Sequence, residues 1–236
     1  METVDQVMGV LERKGTTATR NTYLRHGAPE ETYGVKVGDL KPIARGIQGN
    51  QQLAMELYES GNSDAMYLAG MVADGARMTK KQLEEWVKGA SWYYISEYAV
   101  PGVAVENKSA RDLAIKWMKS KTESIAACGW ATYSGVLATR EDADLDKTEI
   151  KSLLKKIEAE IGQAPNRVRY TMNGFVISVG TYVKSLLKQA KKTADAIGVI
   201  ECDMGDTACK VPLATEYIEK VEARGTVGQK RSSLKS

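Results

Sequence analysis

One histidine, His26, and three cysteines, Cys128, Cys202 and Cys209, are the chain's whole supply of imidazole and thiol ligands for zinc, and no two cysteines form a C-x-x-C pair. That shortage excludes the usual zinc sites. Glu201, Asp203 and Asp206 lie close together, but their spacing matches no calcium loop, and Asp206 reads more simply as a turn residue. No metal and no cofactor are expected. An odd number of cysteines outside any framework points to free thiols in a reducing compartment. No apolar run comes near the ~20 residues of a membrane-spanning helix. The opening METVDQVMGVLERKG carries acids and lacks the pattern of a secretory leader. We therefore expect a cytoplasmic protein, nucleoid-associated if it binds DNA, with no membrane contact. A Ser-His-Asp arrangement and a phosphate-cradling glycine loop are absent as well.

What is present begins with enough apolar material, 43% of 236 residues, to bury a substantial core. The net charge is only +3, but it is unevenly spread. Nine Lys/Arg stand against two Glu between Lys151 and Lys192, and five against two between Glu219 and Ser236. Such runs suit phosphates, and equally a solvated helix face. Aromatics make up 7% of the chain, yet Trp86 to Tyr98 (WVKGASWYYISEY) gathers two of four tryptophans and three of eleven tyrosines. Aromatics at helical spacing fill cores, and they also make stacking surfaces for flat ligands such as nucleobases. Both readings stay open at this point.

Nearly every segment has a helical pattern. Glu2 to Lys14 carries Val4, Val7, Met8 and Leu11 on one face, and Thr17 to Arg25 follows. Asp39 is placed as the N-cap of a helix with Pro42 in its first turn. Helices are expected over Gln51–Glu59 and Ser63–Arg77, and then after Thr79, with Gln82 completing a capping box. Ser91 starts the aromatic segment, Ser109 the next helix, Thr122 the helix to Ala138, and Asp146 or Thr148 the one after. Gly174 and Gly180 interrupt the pattern beyond Asn166, predicting two helices or one close crossing. VIECDMGDTACKV reads as a short hairpin or ordered loop, Pro212 starts a last helix, and the tail TVGQKRSSLKS is expected to be mobile. Helices recurring in pairs every 35 to 45 residues or so have the spacing of a HEAT-type solenoid. The expected fold is all-α, a HEAT-like helical repeat solenoid (an α–α superhelix), with a short irregular or hairpin segment near the C-terminus. The body covers residues 1–196, and 197–236 form an extension packed on the same domain.

Through YGVKVGDLKPIARGI, LAMELYESGNSDAMYLAGMVAD, the aromatic stretch and the basic segment, the sequence resembles the DNA alkylation repair family, the AlkD-like HEAT-repeat alkylpurine DNA glycosylases. The ending DMGDTACKVP…YIEKVEARG…GQKR resembles an extension seen in one branch. The resemblance implies a curved helical stack whose basic concave face cradles duplex DNA. Active members excise N3- and N7-alkylated purines without flipping the base, using two tryptophans and an aspartate beside the deoxyribose. A carboxylate and aromatic faces there stabilise the cationic sugar as the glycosidic bond breaks.

Residue by residue, the family's tryptophan falls on Trp92, but its aspartate falls on Ser96, a neutral hydroxyl. Glu97 is adjacent, about 100° away on an α-helix, and becomes the catalytic candidate only if the backbone shifts. The second tryptophan, expected after Gly180, is replaced by Thr181 with Tyr182 as an aromatic stand-in, and an arginine expected near ESIAACG (Glu123 to Gly129) is missing. The DNA-binding candidates are Trp92, Tyr93, Ser96, Arg167, Arg169, Thr181, Tyr182, Lys184 and Lys188. Arg167 and Arg169 open a helix, where basic side chains beside free N–H groups suit a phosphate. Against each stands a structural reading: a core tryptophan for Trp92, an arginine partner for Glu97, a solvated face for the cations. The expected function is DNA binding within this family without the standard glycosylase activity, by a monomer acting on double-stranded DNA that is alkylated or structurally unusual. The alternatives are an active glycosylase with Glu97 and Tyr182 in remodelled roles, and a protein-binding helical scaffold.

Overall fold

The computed structural model describes all residues but Glu2 and Ser236, so the expected helix start at Glu2 lies outside the described residues. Thirteen α-helices and no strand occur among the described residues: α1 Val4–Lys14, α2 Thr17–Arg25, α3 Val37–Gly46, α4 Gln51–Glu59, α5 Ser63–Val72, α6 Lys80–Gly89, α7 Val100–Ala104, α8 Ala110–Trp117, α9 Glu123–Thr139, α10 Lys147–Glu160, α11 Asn166–Tyr182, α12 Leu187–Ile197 and α13 Ala214–Ala223. The chain forms two compact units, one of residues 1–108 with 204–208 and 235–236, the other of 109–203 with 209–234.

Local signals set the helix starts. Thr79 and Gln82 form the reciprocal capping box of α6, and Asp146 accepts from the Thr148 and Glu149 N–H groups at the start of α10. Asp39 is not a cap: α3 starts at Val37 after Lys36, which leaves Asp39 in the first turn, where its charge still suits the helix dipole. Pro42 consequently lies inside α3. The expected helix to Arg77 stops at Val72, and a separate 3-10 turn, Gly75–Arg77, follows.

In the first unit the loop before α3 is wound around one buried carboxylate. Asp64, in the first turn of α5, accepts Thr32 Oγ1–H (2.8 Å) and the N–H groups of Tyr33 (2.7 Å), Gly34 (3.1 Å) and Val35 (2.8 Å). Three loop amides that would otherwise be buried without acceptors are satisfied by two oxygens.

In the second unit α9 packs on α8 and α11. Gly129 permits the first contact, since a Cβ there would stand 2.5 Å from the Met118 nitrogen. Trp130 and Tyr133 meet Phe175 edge-on at 5.3 and 5.6 Å. α11 runs unbroken through Gly174 and Gly180, and Gly180 is the close-crossing site, where a Cβ would lie 2.7 Å from Ile218 of α13.

Of the two readings of VIECDMGDTACKV, the ordered loop is the one observed. Within the second unit the Asn166 side chain pairs with the Asp203 backbone in both directions, Nδ2 to O at 2.8 Å and N to Oδ1 at 2.7 Å. The described part of the tail expected to be mobile is bonded in place. Gly228 N–H donates to the Thr181 carbonyl (2.8 Å), Arg231 N–H to that of Ala138 (2.7 Å), and Lys230 Nζ to those of Leu137 and Tyr182. Low apolar content misled the expectation, because backbone and ammonium donors hold this segment.

Candidate nucleic-acid interface

The aromatic stretch does not continue as an α-helix. Residues Ile95–Ala99 form a π-turn, in which the Val100 N–H reaches back to the Ile95 carbonyl. Such wide turns are rare and concentrate at functional sites. The backbone shift on which a role for Glu97 depends is therefore present, and its result is burial: Ser96 is 1% and Glu97 7% exposed.

Trp92 is buried too. Its indole N–H donates to the His26 carbonyl at 3.0 Å, and its face is covered by Tyr94, stacked at 4.3 Å and 16°. His26, the C-cap of α2, also shares a 2.9 Å hydrogen bond between Nδ1 and the Tyr93 hydroxyl. Tyr93 and Tyr94 are half-buried, and Tyr98, edge-on to Tyr94 at 6.0 Å, comes out to solvent. Trp92, Tyr93, Ser96 and Glu97 are thus brought together, with Trp92, Ser96 and Glu97 in the interior and tyrosines outside them.

The basic candidates, all in the second unit, fall into two groups. At the start of α11 the Arg167 N–H already donates to the Glu123 carboxylate at 2.6 Å, so the anion favoured at a helix N-terminus is supplied internally. The Arg167 guanidinium lies over the Tyr170 ring, 4.4 Å from its centroid. Arg169 ties the loop down, its Nη atoms donating to the carbonyls of Glu201 (2.9 Å) and Ala164 (3.1 Å) while Nε is buried without an acceptor among the described residues. Thr181 and Tyr182 offer their carbonyls to Gly228 and Lys230.

The lysines differ. Lys184, on the 3-10 turn leading into α12, and Lys188, on α12, are exposed and form no ion pair among the described residues. Lys192, one turn beyond Lys188, shares this state, and the i, i+4 spacing was the signal that could have added it. Lys191, by contrast, is held 2.8 Å from Glu222, whose hydrogen bond raises the ammonium pKa. No group of acids, cysteines and histidine among the described residues is arranged to hold a metal ion, and no described helix is long and apolar enough to cross a membrane.

A family model described as DNA alkylation repair enzyme matches residues 7–196. The chain belongs to the DNA alkylation repair family. Uncharacterised proteins of Listeria innocua and Listeria monocytogenes are each 32% identical to it over 230 residues, spanning 95% of this chain and 99% of theirs. A solved structure aligns with a TM-score of 0.90 and 34% identity, covering 99% of this chain and 100% of the other. That structure represents a new family of proteins related to the HEAT-like repeat DNA glycosylases with affinity for branched DNA structures. The fold of this member of the family is therefore the HEAT-like repeat fold of those proteins.

Proposed function

We propose that this family member binds DNA, branched forms included, and does not excise alkylated purines by the tryptophan–aspartate arrangement of active glycosylases. The observation that carries the reading is the set of exposed lysines Lys184, Lys188 and Lys192, which have no ion-pair partner among the described residues. Unpaired ammonium groups exchange condensed counterions for phosphate contacts at little internal cost. The preference for branched DNA rests on the likeness to the protein with that affinity. The absence of standard excision rests on Ser96, which carries no charge and is buried. The family match to residues 7–196 supports a HEAT-like body of 1–196 with an extension from 197. We take the protein to act as a cytoplasmic monomer on the nucleoid.

The test is titration of a four-way junction and a linear duplex across a salt series, with release of 7-methylguanine and 3-methyladenine measured in parallel. Salt-sensitive binding favouring the junction, without base release, is the expected result. Release that disappears in Glu97→Gln would instead make the protein a glycosylase with a relocated carboxylate. Absence of DNA binding at low salt would sink the reading.

A further inference from the structure

Resting on the DNA-binding reading above, we infer that Tyr98, backed by Tyr94, stacks on an unpaired nucleobase at a DNA branch point.

Within the π-turn a glutamate is buried and a tyrosine exposed. Ile95, Ser96 and Glu97 are all buried, and the residue that comes to the surface is Tyr98, 49% exposed. The exposed ring of Tyr98 forfeits burial that the neighbouring rings obtain. Local departures of this kind concentrate where function overrides stability. Four large hydrophobic side chains among the described residues are exposed, and Tyr98 alone of them continues an organised set of rings. Trp92 stacks on Tyr94, Tyr94 meets Tyr67 at 6.1 Å and Tyr98 at 6.0 Å, and His26 and Trp92 flank Tyr93. Tyr98 is thus positioned by packing behind it while much of its surface remains open.

The chemistry that fits an open, positioned phenol ring is a second flat π-system. A paired base inside a duplex offers its faces to its neighbours in the stack, whereas a base at a branch point has lost one of them. Base–aromatic stacking ignores base identity, because every base has a π-face. Tyr98 would therefore distinguish branched from linear DNA by structure and not by sequence, a task that lysines reading phosphate charge perform poorly.

The experiment compares the wild type with Tyr98→Ala, Tyr98→Phe and, as an exposed tyrosine elsewhere, Tyr217→Ala. Each is titrated into a linear duplex and into a junction carrying 2-aminopurine unpaired at the branch, with Tm measured for every variant. Tyr98→Ala should lose about tenfold in junction affinity, keep its duplex affinity, and fail to quench the fluorophore. Tyr98→Phe and Tyr217→Ala should behave as wild type. Unchanged junction affinity and quenching in Tyr98→Ala would overturn the stacking role and leave the DNA-binding reading standing. Equal loss on both DNAs would overturn it as well, and wild-type protein that binds neither DNA would remove both.

Discussion

Arg169 and Lys188 come from one basic run and are used in opposite ways. Arg169 spends its guanidinium on the carbonyls of Glu201 and Ala164, as Arg167 spends its own on the ring of Tyr170 and its N–H on Glu123. Lys188, with Lys184 and Lys192, leaves its charge in solvent. The difference follows from side-chain chemistry. A planar fork of five donors is suited to bridging two carbonyls, whereas a compact, strongly hydrated ammonium on a flexible stem gains little from being tied down. A count of positive charges over this segment therefore overstates how much charge is left facing solvent.

Asp64 marks the committed extreme and carries the largest expected effect. Asp64→Ala leaves the Tyr33, Gly34 and Val35 amides without their acceptor, and should cost about 3 kcal/mol or more by chemical denaturation. A loss below ~1 kcal/mol, the scale of an ordinary exchange with water, would mean that the loop finds other acceptors.

The uncommitted extreme should behave the other way round. Replacing Lys184, Lys188 and Lys192 together by alanine should reduce the steepness of log K against log salt by about two to three. Stability should stay within ~0.5 kcal/mol of wild type, as for surface changes in general. An unchanged salt slope would show that these lysines do not meet phosphate.

Arg169→Ala sharpens the contrast between them. The two lost charge-assisted bonds to the loop should lower stability by about 1–2 kcal/mol and leave the salt slope alone. A shallower slope with unchanged Tm would return Arg169 to the DNA face.

The smallest effect concerns two buried phenols. Burial, first of all, raises the pKa of Tyr23 and of Tyr133, and the Glu149 carboxylate adds to the rise at Tyr133. A raised folded-state pKa means that the unfolded chain loses these protons first. The associated stability is therefore complete below about pH 10, the unfolded value, and is lost as pH rises beyond it. Tyr133→Phe should flatten the alkaline limb of a Tm–pH curve. Limbs of equal steepness would show that the Tyr133 phenol ionises freely in the folded protein.

Much of the fold could be read along the chain because its causes are local. A capping box spans three residues, an apolar stripe repeats within a helical turn, and Thr79, Gln82, Asp146 and the α1 stripe behaved accordingly. Asp39 and Pro42 misled by a few residues, an ordinary boundary shift at a helix start. The candidate site was legible as residue types but not as availability. Trp92 and Glu97 were prominent in the sequence, yet both are interior, and Tyr98, the ring that faces out, was distinguished only by the π-turn.

By itself, then, the sequence determined the all-helical pattern, the family and the missing charge at Ser96, since composition, caps and residue order suffice for each. Tertiary structure decided which charges and rings are left over. Asp64 is satisfied by amides 29 to 31 residues away, Arg169 by a carbonyl 32 away, and Lys230 by one 93 away. Whether a polar group faces solvent or another part of its own chain depends on partners that no local pattern contains.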